Sequence, residues 1–247
     1  MQRHSRVVPG LRNLASILIL LVAPAFAAAQ SAARATTLDD ALGKEIAAFV
    51  ASDRASPPAP CQILFVGSSS IRIWKTVSTD MAPLPVINRG FGGSHIEHVN
   101  RWFDQVVAPY HPRSIVFYAG ENDLAAGKSA HQVIDDFDAF MARKSQVLGK
   151  TPVYFISVKP SKLRFAQLET QKQVNDAIRA RADARADLRY VDVVPPMLEN
   201  GAPKDIFIAD GLHMTSAGYA IWTPIVKAPL LLHAEDEAEA CRRSLPH

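Results

Sequence analysis

Downstream of residue 60, short β-branched apolar runs alternate with longer stretches whose apolar residues recur every three or four positions. The runs at residues 63–66, 84–87, 115–118, 153–156 and 188–191 predict five strands. The periodic stretches at 96–107, 131–148 and 165–184 predict helices between them. Such alternation implies right-handed crossovers and a parallel sheet covered on both faces. Upstream, Ser56-Pro57-Pro58-Ala59-Pro60 stops any helix or central strand, because proline fixes φ and donates nothing. Before that break, residues 31–50 read as a linker followed by a short amphipathic helix. No repeat and no second domain are visible, so residues 30–60 lead into one domain at 61–247.

The first 29 residues follow a different rule. Arg3, Arg6 and Arg12 precede the apolar run 14–23 and the small-residue stretch Ala25-Phe26-Ala27-Ala28-Ala29. A basic segment, a short apolar core and an A-x-A pattern predict a secretory signal peptide cleaved after Ala27 or Ala29. An uncleaved N-terminal anchor is the alternative, on a run short for a spanning helix. The expected location is periplasmic or secreted, with no stable membrane anchor after cleavage.

Export changes the reading of charge. The whole chain carries 27 Lys+Arg against 24 Asp+Glu. Without the signal segment the balance is 24 against 24, so the net charge gives no reason to expect a nucleic-acid partner. With 48% apolar and 21% charged residues in 247, disorder, collagen and a disulfide-dense miniprotein are excluded.

In a parallel sheet the working residues gather beyond the carboxyl ends of the strands. After the first strand comes Gly67-Ser68-Ser69-Ser70, after the second Asn88-Arg89-Gly90-Phe91-Gly92-Gly93-Ser94, and after the third Gly120-Glu121-Asn122-Asp123. Near the C-terminus stand Asp210-Gly211-Leu212-His213 and Thr215-Ser216-Ala217-Gly218-Tyr219. A Gly-Ser-Ser turn between strand and helix puts a hydroxyl among the unpaired N–H groups of a helix start, where a developing anion is favoured. Serine needs a base, and His213 alone among the eight histidines has an acid, Asp210, three residues before it. Backbone N–H groups of Ser69 and Gly93 and the amide of Asn122 would supply three oxyanion donors.

These blocks resemble the SGNH (GDSL-like) hydrolase family over about residues 61–231. The stretches 65–69 and 88–94 look most like its platelet-activating-factor acetylhydrolase-like branch. The resemblance implies a flavodoxin-like three-layer α/β/α fold with a five-stranded parallel sheet. It makes Ser69 the nucleophile, Gly93 and Asn122 the oxyanion partners, and Asp210 and His213 the rest of the triad. Ser68 stands where the family's usual Gly-Asp-Ser has its acid, which leaves the choice among Ser68, Ser69 and Ser70 open; the preceding Phe-Val-Gly favours Ser69. The implied activity is hydrolysis of a small-molecule carboxylic ester through an acyl-serine, with no metal or organic cofactor. Acyl transfer to another alcohol and a non-catalytic binding module are the alternatives.

Other features receive simpler readings. His95 and His98 have metal-ligand spacing but no evident third ligand, so they are taken as exposed helix residues. The Lys and Arg residues of 172–189 interleave with Asp176, Asp183 and Asp187 and predict a solvated helix face, and the acidic run 235–239 predicts a solvated C-terminal end. Cys61 and Cys241 are the two cysteines, and export permits them one pairing. A final helix running back from His213 would bring Cys241 to the amino-terminal edge of the sheet, where Cys61 lies, so a disulfide is expected.

Overall fold

The computed structural model describes Gln2 and residues 22–245. Of the expected signal peptide, residue 1 and residues 3–21 lie outside the described residues. Five strands, β1 (Ile63–Gly67), β2 (Val86–Gly90), β3 (Ser114–Tyr118), β4 (Val153–Ile156) and β5 (Leu188–Val191), form one parallel sheet in the order β2-β1-β3-β4-β5. The helices are α1 (Val22–Ala55), α2 (Ser69–Arg72), α3 (Val77–Asp80), α4 (Ile96–Arg101), α5 (Phe103–Val106), α6 (Glu121–Ala125), α7 (Ala130–Leu148), α8 (Leu168–Asp183), α9 (Val194–Met197), α10 (Ser216–Leu232) and α11 (Ala234–Ser244).

Every residue of β1, β3 and β4 is buried, which is why these strands read as unbroken apolar runs. Alternate side chains serve opposite faces. On one face Phe65, Val116, Tyr118 and Ile156 pack with Trp74 and with Tyr219, Trp222 and Val226 of α10. On the other, Phe117 meets Phe137 and Phe140 of α7 with ring centroids 5.5 and 4.6 Å apart, and α7 is flanked by α4 and α8. The result is a three-layer α/β/α arrangement, as expected.

Several elements differ from expectation. β2 runs from Val86, not residue 84: Pro85 has no N–H for the ladder, and its carbonyl instead accepts from Ile63 N–H at 2.9 Å. β2 is an edge strand, so it tolerates the polar Asn88 and Arg89 that the apolar pattern passed over. The helix expected over 96–107 is two pieces, α4 and α5, separated at Trp102, with no glycine or proline to announce the break. The first turn of the helix expected from 165 is a 3₁₀ turn, Phe165–Gln167. The acidic run 235–239 is a solvated end only in part: Glu235, Asp236 and Glu239 are exposed, but Glu237 is not. It lies in α11, where Glu237, Ala238 and Cys241 form a buried stripe and Glu237 accepts a hydrogen bond from the buried Tyr154 hydroxyl at 2.6 Å.

The linker expected before a short helix is replaced by the single helix α1, because no glycine or proline interrupts the alanine-rich sequence between Pro24 and Gly43. The chain divides into two units, Met1–Ala41 and Leu42–His247. Within the second, Leu42 and Ile46 are buried one turn apart, and Asp53 pairs with Arg89 of β2. Arg89 also lies over the rings of Phe49 and Tyr110, at 5.0 and 4.9 Å. The C-terminal part of α1 is thus fastened to the edge strand β2 through Arg89.

Cys61 and Cys241 are joined with Cα atoms 5.8 Å apart, closing a loop across 180 positions at the amino-terminal edge of the sheet. On chain-entropy grounds such a loop contributes up to about 5 kcal/mol, less any strain. Cys241→Ser is therefore expected to lower the thermal midpoint clearly while leaving kcat nearly unchanged, since the bridge lies at the edge opposite Ser69. A midpoint equal to that of the parent protein would show that the bridge adds nothing.

Candidate active site

The strand order places its switch point between β1 and β3, and the carboxyl ends of these two strands carry the decisive turns. Gly67 leaves β1 at φ +134°, pressed so closely on β3 that a Cβ there would lie 1.9 Å from the Tyr118 carbonyl oxygen. Ser68 N–H then donates to that same oxygen at 2.8 Å, and α2 starts at Ser69. The N–H of Ser69 falls in the first turn, where no helical acceptor exists.

Of the three consecutive serines, Ser69 meets an imidazole: its Oγ lies 2.9 Å from His213 Nε2. His213 Nδ1 lies 2.5 Å from Asp210 Oδ2. A carboxylate only accepts, so Nδ1 holds the proton and Nε2 is left to accept from the serine hydroxyl. Asp210 Oδ1 accepts from the N–H groups of Leu212 and His213 at 2.8 and 2.9 Å. Burial is the largest single influence and works against its charge, but the bonds from the imidazole and the two N–H groups together outweigh it and hold the carboxyl at about 2. Asp210 is thus ionised over the whole working range of a protein.

The loop carrying this pair is pinned on both sides. Ile208 N–H donates to the His213 carbonyl at 2.8 Å, and Leu163 N–H to the Gly211 carbonyl at 2.9 Å. The turn after β2 is pinned as well. Phe91 N–H donates to the Gly67 carbonyl, Asn88 bridges the Ile71 carbonyl and Gly90 N–H, and Glu45 of α1 accepts from Gly92 N–H at 3.2 Å. Gly93 follows at φ +75°, a left-handed conformation that glycine adopts without strain.

Asn122 projects from the first turn of α6. Its Nδ2 donates to the Ser94 carbonyl at 3.1 Å, and its Oδ1 accepts from Arg164 Nη2 at 3.0 Å. A carbonyl cannot donate and a guanidinium cannot accept, so these two contacts fix which end of the amide is nitrogen. One Nδ2 hydrogen remains for another acceptor. Ser69, His213 and Asp210 therefore stand in one hydrogen-bonded series, with Gly93 and Asn122 on the neighbouring turns.

His98 departs from its expected place on an exposed helix face. It is buried, its Nδ1 accepts from His95 N–H at 2.9 Å, and its ring lies between those of His95 and Trp102. His95, Glu97 and His98 bring potential ligand atoms within 4.8 Å of one another. The cation beside them is Lys128, 3.2 Å from Glu97, 3.3 Å from Asp123 and 2.8 Å from Asp136. Sequence reasoning also passed over Glu45, Lys159 and Arg164. Lys159 did leave a signal, as an ionisable residue three positions beyond the apolar strand β4.

A serine hydroxyl set against an imidazole and a carboxylate in this way is the arrangement that acyl transfer from an ester can use. Residues 67–221, well over half of the chain, match the GDSL-like lipase/acylhydrolase family, and the chain belongs to that family of ester-hydrolysing enzymes. No curated protein matches it. Among solved structures, a protein assigned as a platelet activating factor from Streptococcus pneumonia superposes with a TM-score of 0.72 at 20% identity, over 82% of this chain and 99% of its own. A GDSL-like lipase from Bacteroides thetaiotaomicron gives 0.60 at 23% identity, over 79% and 96%. A catalytic mutant of an acetylxylan esterase from Geobacillus stearothermophilus gives 0.56 at 12% identity, over 68% and 93%. At these identities the likeness is one of fold.

Gly67→Ala tests the close approach on which the serine turn rests. The added methyl meets backbone at 1.9 Å, so stability is expected to fall by more than about 2 kcal/mol in denaturant unfolding. A variant as stable as the parent would contradict the geometry.

Proposed function

We propose that the protein is a serine esterase of the periplasm or the extracellular space, acting on carboxylic esters through an acyl-serine intermediate. The observation that carries this reading is the series Ser69 Oγ to His213 Nε2 to Asp210, with distances of 2.9 and 2.5 Å. His213 takes the Ser69 proton as Ser69 Oγ attacks the ester carbonyl carbon, and Asp210 holds the imidazole tautomer and stabilises the imidazolium that forms. The tetrahedral oxyanion is met by the N–H groups of Ser69 and Gly93 and by the remaining Nδ2 hydrogen of Asn122. His213 then gives its proton to the departing alcohol oxygen. In the second half-reaction it takes a proton from water, whose oxygen attacks the acyl-serine; the acid leaves and Ser69 is restored.

The reading favours short acyl groups on a carbohydrate, a lipid or a small alcohol. The first three site blocks lie close together along the chain, which leaves little room for a lid between them, and one of the structural neighbours is an acetylxylan esterase. Export is supported by the basic and apolar pattern of residues 1–29 and fits the Cys61–Cys241 bridge, which an oxidising compartment preserves.

Two measurements test the proposal. Across p-nitrophenyl esters from acetyl to palmitoyl, kcat/KM is expected to be highest for the shortest acyl groups and to collapse in His213→Ala. A maximum at long chains would reverse the substrate assignment, and absence of hydrolysis throughout the series would overturn the esterase reading. Asn122→Ala is expected to lower kcat by about 10²–10³ with little change in KM, because the amide donates to charge that develops mainly in the transition state. A rise in KM alone would make Asn122 a substrate-binding residue.

A further inference from the structure

Two opposite charges are buried behind the site, and the mechanism above uses neither. Lys159, just beyond β4, is fully buried, and Glu121, the first residue of α6, is 4% exposed. Such a pair is costly to desolvate and persists only when its donors and acceptors are satisfied. Here they are. Lys159 Nζ donates to Glu121 Oε2 and Oε1 at 3.0 and 3.2 Å, and to the Leu212 carbonyl at 3.0 Å. Glu121 also accepts from the Tyr118 hydroxyl at 2.8 Å and from Ser161 Oγ at 3.0 Å. Arg164 stands over the same carboxylate, with Nη1 3.8 Å from Oε1, while its Nη2 holds Asn122 Oδ1.

The partners of this pair matter more than the pair itself. Glu121 is the chain neighbour of Asn122, and Arg164 bonds the Asn122 amide directly. Leu212 is the chain neighbour of His213; its N–H is held by Asp210 and its carbonyl by Lys159. The turn bearing the oxyanion amide and the loop bearing the base come from distant parts of the chain, and both are fastened to one ion pair. An apolar pair of similar volume would fill the same space without binding either the Leu212 carbonyl or the Arg164 guanidinium.

We propose that Glu121, Lys159 and Arg164 are positioning residues, a buried bracket that holds the Asn122 amide and the His213 loop in register with each other. The proposal rests on the esterase reading for its kinetic consequence, though not for its structural one. In Glu121→Gln the carboxylate charge is lost with shape retained, and Asn122 is no longer held to the base loop. Misplacement of catalytic groups by a fraction of an ångström to an ångström costs about 10- to 100-fold in rate.

The test is a double-mutant cycle on p-nitrophenyl acetate, using the full chain with its disulfide intact, together with hydrogen exchange of the folded proteins. Glu121→Gln and Lys159→Met are each expected to lower kcat about 10- to 100-fold with little change in KM. In the Glu121→Gln background Asn122→Ala should lose much of its effect, because an amide already out of place has less to contribute. A merely structural role would leave the Asn122→Ala factor undiminished. Hydrogen exchange should quicken in peptides covering residues 120–125 and 208–213 and stay slow in those covering β1 and β3, a readout independent of activity. If the buried variants do not fold, Arg164→Ala, at a partly exposed position, carries the same cycle, and Arg164→Lys should fail to rescue because an ammonium lacks the guanidinium fork. Full additivity with Asn122→Ala, or exchange that rises evenly over the whole domain, would overturn the bracket. An inactive parent whose two loops nevertheless loosen together in these variants would overturn the esterase reading and leave the bracket standing.

Discussion

The arrangement of the site depends on the contact between the end of β1 and the end of β3. β1 lies between β2 and β3 with both faces buried, so its chain can leave only past the carboxyl edge. Gly67 makes that exit possible, since any side chain would enter the Tyr118 carbonyl. The same carbonyl then receives Ser68 N–H, and the Gly67 carbonyl receives Phe91 N–H. One backbone contact therefore sets the start of α2, hence the place of the Ser69 hydroxyl, and ties it to the turns that carry Gly93 and Asn122. The His213 loop reaches this point from the far end of the chain and is held there by hydrogen bonds to Ile208, Leu163 and Lys159.

The strands buried on both faces were legible in the sequence because burial leaves a direct mark: an apolar run bounded by polar turns. β2 was misplaced by two residues for the complementary reason. An edge strand takes Asn88 and Arg89, which an apolar pattern does not count, and Pro85 can stand next to a strand without joining its ladder. Helix ends governed by glycine or proline were legible, whereas the break at Trp102 was not. Glu237 shows the limit of reading charge as exposure, because a single buried hydroxyl, that of Tyr154, was enough to draw one acid of an acidic run inside.

The site divides along similar lines. Ser69, Gly93 and Asn122 stand in short blocks just past strand ends, and Asp210 and His213 in one short block ahead of α10, where local spacing carries information. The residues that brace them do so across long stretches of chain: Lys159 meets Glu121 at a separation of 38 positions and Leu212 at 53, and Glu45 meets Gly92 at 47. No local pattern records such pairs. The ambiguity among three consecutive serines is of the same kind, since it is settled by the distance from one hydroxyl to an imidazole 144 positions away.

The claim at the centre of this account is that the Ser69 hydroxyl, activated by His213, attacks the substrate. A fluorophosphonate probe forms its adduct at the serine so activated, and peptide mapping of the labelled protein reads which one it is. The account requires the adduct on Ser69, formed rapidly by the parent protein and scarcely at all by His213→Ala. An adduct on Ser68 or Ser70, or labelling of Ser69 that is indifferent to His213, would contradict it.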